Sequence, residues 1–162
     1  MAVIRHHVGK RLSETAVYNG TVYLAGQIAE DADQDITGQT REVLGHIDRL
    51  LEEVNSDKSH LLSVQIYISD MVHFAGMNAV WDEWVAQGAT PPRATVEAKL
   101  ANPKCLVEIV VVAAQRAAHR RGEPQRPAEP EVDPSAAGSL QVRAGQTLTI
   151  PINDYVRTRP GR

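Results

Sequence analysis

A chain of 162 residues with one cysteine and a formal net charge of −3 holds one compact domain, or a smaller domain with an appendage, and excludes an intramolecular disulfide. Its 17 basic and 20 acidic residues are intermixed, which leaves no basic stripe for nucleic acid and no footprint for an anionic membrane. Residues 1–10 lack the apolar run of a signal peptide and no stretch reaches membrane-spanning length, so the expectation is a soluble, cytoplasmic protein.

Residues 3–8 form a short β-prone run, broken by Gly9, Lys10 and Arg11. His6 and His7 lie next to each other, so on a strand they point to opposite faces and do not form a metal pair. Residues 15–18 and 21–25 are β-rich and flank Asn19-Gly20, a strong short hairpin signal. Gly26 ends the second of these strands, where backbone can approach a ligand closely. Residues 30–35 are an acidic loop that brings negative charge ahead of a helix N-terminus. From residue 37 to 55, Val43, Leu44, Ile47, Leu50, Leu51 and Val54 recur at helical spacing, which predicts an amphipathic helix.

Residues 61–68 read as a strand with Leu62, Val64, Ile66 and Ile68 toward the core. Ser69-Asp70 caps a second helix over residues 71–87, whose Phe74, Met77, Val80, Trp81, Trp84 and Val85 form a core stripe, with Gly88 as its C-terminal cap. Pro91 and Pro92 fix an extended entry to a strand over residues 93–100. A turn at residues 101–104 leads to a very apolar strand at 105–112, interrupted by Glu108. The short turn predicts an antiparallel hairpin that carries Arg93 and Glu108 toward the same end. The order is β-β-β-α-β-α-β-β.

After Gln115 the composition shifts. Residues 1–116 are the predicted domain, 117–139 a Pro-, Ala- and Glu-rich linker expected to be disordered, and 140–162 a β-prone tail too small to fold alone.

Arg93 and Glu108 stand out because each places a charge where apolar side chains are expected. The plain reading makes Arg93 a surface residue at the start of a strand and Glu108 one half of an ion pair with Arg93 or Lys99. Cys105 reads as a buried thiol facing away from Glu108.

A fuller pattern joins them. Pro91, Arg93, Ala94, Val96, Lys99, Leu100, Val107, Glu108 and Ile109, together with residues 23–28 and 73–78, resemble the RidA (YjgF) family of enamine/imine deaminases over residues 2–116. The resemblance implies an α+β fold with one mixed sheet of about six strands and two helices on one face. It also implies a homotrimer closing into a central barrel, with ligand sites between subunits. The implied reaction is hydrolysis of reactive 2-enamine or 2-imino acids to 2-oxo acids and ammonia, with no metal or organic cofactor. In this reading Arg93 grips the substrate carboxylate and Glu108 handles water and protons, while Ala25, Gly26, Asn78 and Thr95 line the substrate. This chain departs from the pattern in three places. Thr95 stands where many members have cysteine, Ala25 where the best-known members have serine, and Leu12 or Ser13 where they have tyrosine. The alternative is a non-catalytic binder of small carboxylates or an interaction protein with the same fold.

Overall fold

The computed structural model describes residues 2–117. The predicted tail, and all of the predicted linker beyond residue 117, lie outside them. Six strands form one sheet: β1 (Ile4–Val8), β2 (Ser13–Tyr18), β3 (Thr21–Leu24), β4 (Leu61–Ile68), β5 (Arg93–Glu97) and β6 (Val107–Ala114). Two helices, α1 (Ile36–Glu53) and α2 (Phe74–Trp84), interrupt them. The spatial order is β1-β2-β3-β6-β4-β5, with every pairing antiparallel except β4 with β5.

Local chemistry explains the boundaries. Asn19 and Gly20 take φ of 52° and 76°, the left-handed pair that a two-residue turn between twisted strands requires. Asp35 caps α1, its side chain accepting from the Gly38 N–H at 2.8 Å and the Thr37 hydroxyl at 2.8 Å. Those bonds hold the Asp35 carboxyl below the usual carboxylate range, the backbone bond contributing most. One apolar stripe of α1 and that of α2 cover one face of the sheet, burying Val43, Ile47, Leu50, Met77 and Trp81 over Val64, Ile66, Val107, Ile109 and Val111.

The expected hairpin between the strands carrying Arg93 and Glu108 does not form. β5 pairs in parallel with β4, and β6 inserts between β3 and β4. The physical reason is composition. β6 is the most apolar strand, and a central position is where such a strand is best covered. β5 follows two prolines and carries Arg93 and Glu97, which suits a sheet edge.

Three smaller expectations also change. Leu61 is buried and Leu62 exposed, because the ladder with β6 slips between Leu61 and Ser63 and leaves Leu62 as the extra residue of a bulge. The second helix begins as a one-turn 3-10 helix, Met71–His73, capped by Asp70, and ends at Trp84 rather than residue 87. Gly88 has φ of 79° but sits in the turn after the helix, where Val85 is already extended. The strand from Arg93 stops at Glu97, whose carboxylate accepts the Met71 N–H at 3.0 Å.

The C-terminal end of β6 is fastened by Arg116. Its guanidinium donates to Asp57 Oδ2 at 2.8 Å, Glu52 Oε2 at 2.7 Å and the Ser56 carbonyl at 2.8 Å. Asp57 also accepts from the Ser59 hydroxyl and N–H and from the His60 ring. These partners, the Ser59 hydroxyl foremost, hold the Asp57 carboxyl far below its ordinary value. A carboxyl depressed by folding stabilises the fold above its unfolded value of 3.8, and that stabilisation fades as pH falls toward the folded value. Asp57→Asn is therefore expected to cost about 1–2 kcal/mol at pH 7. The deficit relative to wild type should shrink below pH 4 in thermal melts; a constant deficit would contradict the assignment.

Candidate functional site

Arg93 opens β5 and stands beside Val64 of β4, so its side chain is on the helix-covered face. There α2 orients it. Asn78 Oδ1 accepts from Arg93 Nη1 at 2.9 Å, and the guanidinium carbon lies 5.1 Å from the centre of the Trp81 ring. A cation stacked on a ring and bonded at one nitrogen keeps its planar fork in one orientation, with the remaining N–H groups left for a carboxylate. Thr95, two residues on and on the same face, has a buried hydroxyl without a hydrogen-bond partner.

Glu108 lies on the other face. It pairs with Tyr67, and both project to the side away from the helices, as do Val110, Val112 and Tyr23. Its carboxylate lies directly over Gly26: a methyl group there would overlap Oε1 and come within 3.0 Å of the carboxyl carbon. Gly26 is itself exposed. Ala25 precedes it, with its N–H bonded to the Glu14 carbonyl at 2.9 Å.

Arg93 and Glu108 are thus two strands apart, three residues out of register along β4, and on opposite faces. At strand spacings of about 4.8 Å and residue rises of about 3.3 Å their backbones are on the order of 14 Å apart. The ion pair between them that the plain reading allowed is excluded, and no ion pair among the described residues involves either side chain. The six predicted site residues fall into two clusters: Arg93, Asn78 and Thr95 with α2, and Glu108, Gly26 and Ala25 on the open face.

A match to the family model described as Endoribonuclease L-PSP covers residues 6–115. A RutC family protein of Haemophilus ducreyi is 47% identical over 112 residues, spanning 69% of this chain and 96% of the relative. The RutC family protein YoaB of Escherichia coli is 42% identical over 114 residues, 70% of this chain and 99% of the relative. A YjgF family member from Neisseria meningitidis, solved by crystallography, superimposes with a TM-score of 0.71 at 45% identity, covering 73% of this chain and 98% of that one. The chain belongs to the RidA/YjgF family.

Within this RidA/YjgF domain the single thiol is no candidate nucleophile. Cys105 is fully buried, and burial, with the Glu108 charge second, pushes its ionisation up. Among the described residues no group of three or more His, Cys, Asp or Glu is placed to hold a metal ion, and no helix is long and apolar enough to cross a membrane.

Two contributors escaped the sequence reading. Trp81 reads as core by helical spacing, and only the parallel pairing of β5 brings Arg93 across it. Tyr67 reads as an outward strand residue, and its place beside Glu108 follows from β6 lying next to β4. Neither depends on local pattern, so no local signal finds them.

The unpartnered Thr95 hydroxyl gives a test of the arginine cluster. Thr95→Val keeps the shape and removes an unsatisfied polar group, so unfolding free energy should rise by about 1 kcal/mol. If that hydroxyl serves a ligand, affinity for small 2-oxo acids should fall several-fold in calorimetry. Unchanged affinity would make Thr95 a strand residue only.

Proposed function

We propose that this RidA/YjgF protein hydrolyses reactive 2-imino acids, and the 2-enamine acids that tautomerise to them, giving 2-oxo acids and ammonia. The observation that carries the reading is the pair of prepared clusters: an oriented guanidinium fork and a carboxylate seated on exposed glycine backbone. Because no molecule of this size bridges them within one subunit, the proposed site lies between two copies, one supplying Arg93, Asn78 and Thr95 and the other Glu108, Ala25 and Gly26. The open face, with Tyr23, Tyr67, Val96, Val110 and Val112 left unpacked by the helices, favours association, and the family resemblance favours a trimer around a central barrel. A cytoplasmic setting suits the one reduced cysteine.

In this mechanism Arg93 binds the substrate carboxylate and so fixes the C=N carbon in place. Glu108 orients a water and accepts its proton as the oxygen attacks that carbon. That proton passes to nitrogen to give a carbinolamine. Glu108 then takes the hydroxyl proton and returns it to nitrogen as C=O forms and the C–N bond breaks, so ammonia leaves and the 2-oxo acid remains. Exposed backbone at Gly26 supplies polar groups to the substrate. The endoribonuclease in the family description receives no support from charge, since the chain is net acidic at −3.

The test couples an amino-acid oxidase to several amino acids and follows imine loss with semicarbazide as trap. Wild type should speed ammonia release, and Arg93→Ala and Glu108→Ala should each lower kcat/KM by about 100-fold or more. Saturable binding of 2-oxo acids with no acceleration on any substrate would replace this reading with that of a non-catalytic carboxylate binder.

A further inference from the structure

Resting on the catalytic reading of Glu108, we propose that Gln27 is a positioning residue that holds the Glu108 carboxylate in its working place. The argument begins with register. Between β3 and β6 the ladder runs Tyr23 to Val112, and the next bridge joins Gln27 to Ile109. That is four steps on one side and three on the other, so one extra residue is accommodated around Ala25-Gly26. Such a bulge re-aims the backbone, and here it sets Gly26 beneath the Glu108 carboxylate.

Bulges need fastening because the ladder is interrupted. Gln27 supplies the fastening from both its main chain and its side chain. Its N–H donates to the Ile109 carbonyl at 2.9 Å and its carbonyl accepts the Ile109 N–H at 3.0 Å, closing the ladder immediately beside Glu108. Its carboxamide, on a residue only 7% exposed, donates to the Ala25 carbonyl at 3.0 Å and to Glu14 Oε2 at 2.9 Å. Both side-chain N–H groups face oxygens, so the amide is held in one orientation; the reversed one would set oxygen against oxygen. A buried carboxamide used only for packing would not need two acceptors, one in the bulge itself at Ala25 and one on the neighbouring strand at Glu14. None of these bonds uses the N–H or carbonyl of Gly26.

Gln27→Leu keeps the volume and removes the donors. The variant should fold and assemble as wild type, keep KM within about twofold because Arg93 is untouched, and lose kcat by roughly 10- to 100-fold. Gln27→Glu separates positioning from packing. At neutral pH its carboxylate faces that of Glu14 and the Ala25 carbonyl and opens the clasp. On protonation it donates again. The other charged groups around this cleft are His7, Glu30, His46 and Arg49, with Glu108 across Gly26.

The ratio of Gln27→Glu to wild-type kcat should therefore rise as pH is lowered, while the ratio for Gln27→Leu stays flat. Wild-type kcat in Gln27→Leu, or two flat ratios, overturns the proposal. Should wild type itself not turn over, the deaminase reading fails separately. The side-chain carboxyl carbon of Glu108, observed by NMR, then decides the positioning: a shift displaced in Gln27→Leu supports it and an unchanged shift sinks it.

Discussion

Co-expressing Arg93→Ala and Glu108→Ala subunits should restore activity that neither variant has alone. If each site takes its arginine from one subunit and its glutamate from the next, random assortment in a closed ring leaves about one quarter of the sites with both residues intact. The expected rate is thus about one quarter of wild type per site, against a background lowered by about 100-fold or more in each single variant. A site built within one subunit predicts no recovery at any mixing ratio. The geometry favours the shared arrangement, since the two side chains leave opposite faces of one sheet with β4 between their strands. Light scattering on the same samples would show the assembly, and a monomer with full activity would refute the shared site outright.

Gly26→Ala should be nearly as damaging as removing Glu108. The added methyl has no room while the carboxylate keeps its place, because it would overlap Oε1 and crowd the carboxyl carbon at 3.0 Å. Either the Glu108 side chain swings away or the strand retreats, and each misplaces the group proposed to orient water. A displacement of about 1 Å at a reacting centre costs on the order of 100-fold in rate. Since Gly26 is exposed, global stability should change by less than about 1 kcal/mol. Affinity for a 2-oxo acid held through Arg93 should survive. Normal turnover in Gly26→Ala would show that the carboxylate is free to move without consequence.

Much of the fold was legible because its signals are local. Asn19-Gly20 announces a turn, the acidic run at residues 30–35 the approach to a helix N-terminus, and the spacing from Val43 to Val54 a buried helix face. The remaining strands follow from equally local signals, the alternation at residues 61–68, the entry set by Pro91 and Pro92, and the apolar run after Cys105. Strand pairing was not legible, because a short turn between two strands suggests a hairpin and nothing local says that a third strand will lie between them. The preference of β6 for the middle of the sheet and of β5 for its edge is present in Val107, Ile109 and Val111 and in Pro91 and Pro92, but it acts only against the whole sheet. The candidate site inherits this limit. Arg93 and Glu108 announce themselves as charges on strands, whereas their partition between two faces of the sheet depends on the pairing. Leu62 shows the same point on a smaller scale, since alternation fails wherever a bulge inserts a residue.

The Arg116 clasp has a mechanical meaning. β6 is flanked by β3 and β4, and a pull on the chain beyond residue 116 would otherwise peel its hydrogen bonds open one at a time, starting with the Gln115 N–H to the Gly20 carbonyl. Instead the load meets Asp57, Glu52 and the Ser56 carbonyl first and is passed sideways into the end of α1 and the turn that follows it. Tension from anything joined downstream is thereby shared among several bonds loaded together, which is the stronger way to load them. Force applied beyond residue 116 thus reaches the end of α1 and the turn after it before it reaches the sheet that carries Glu108.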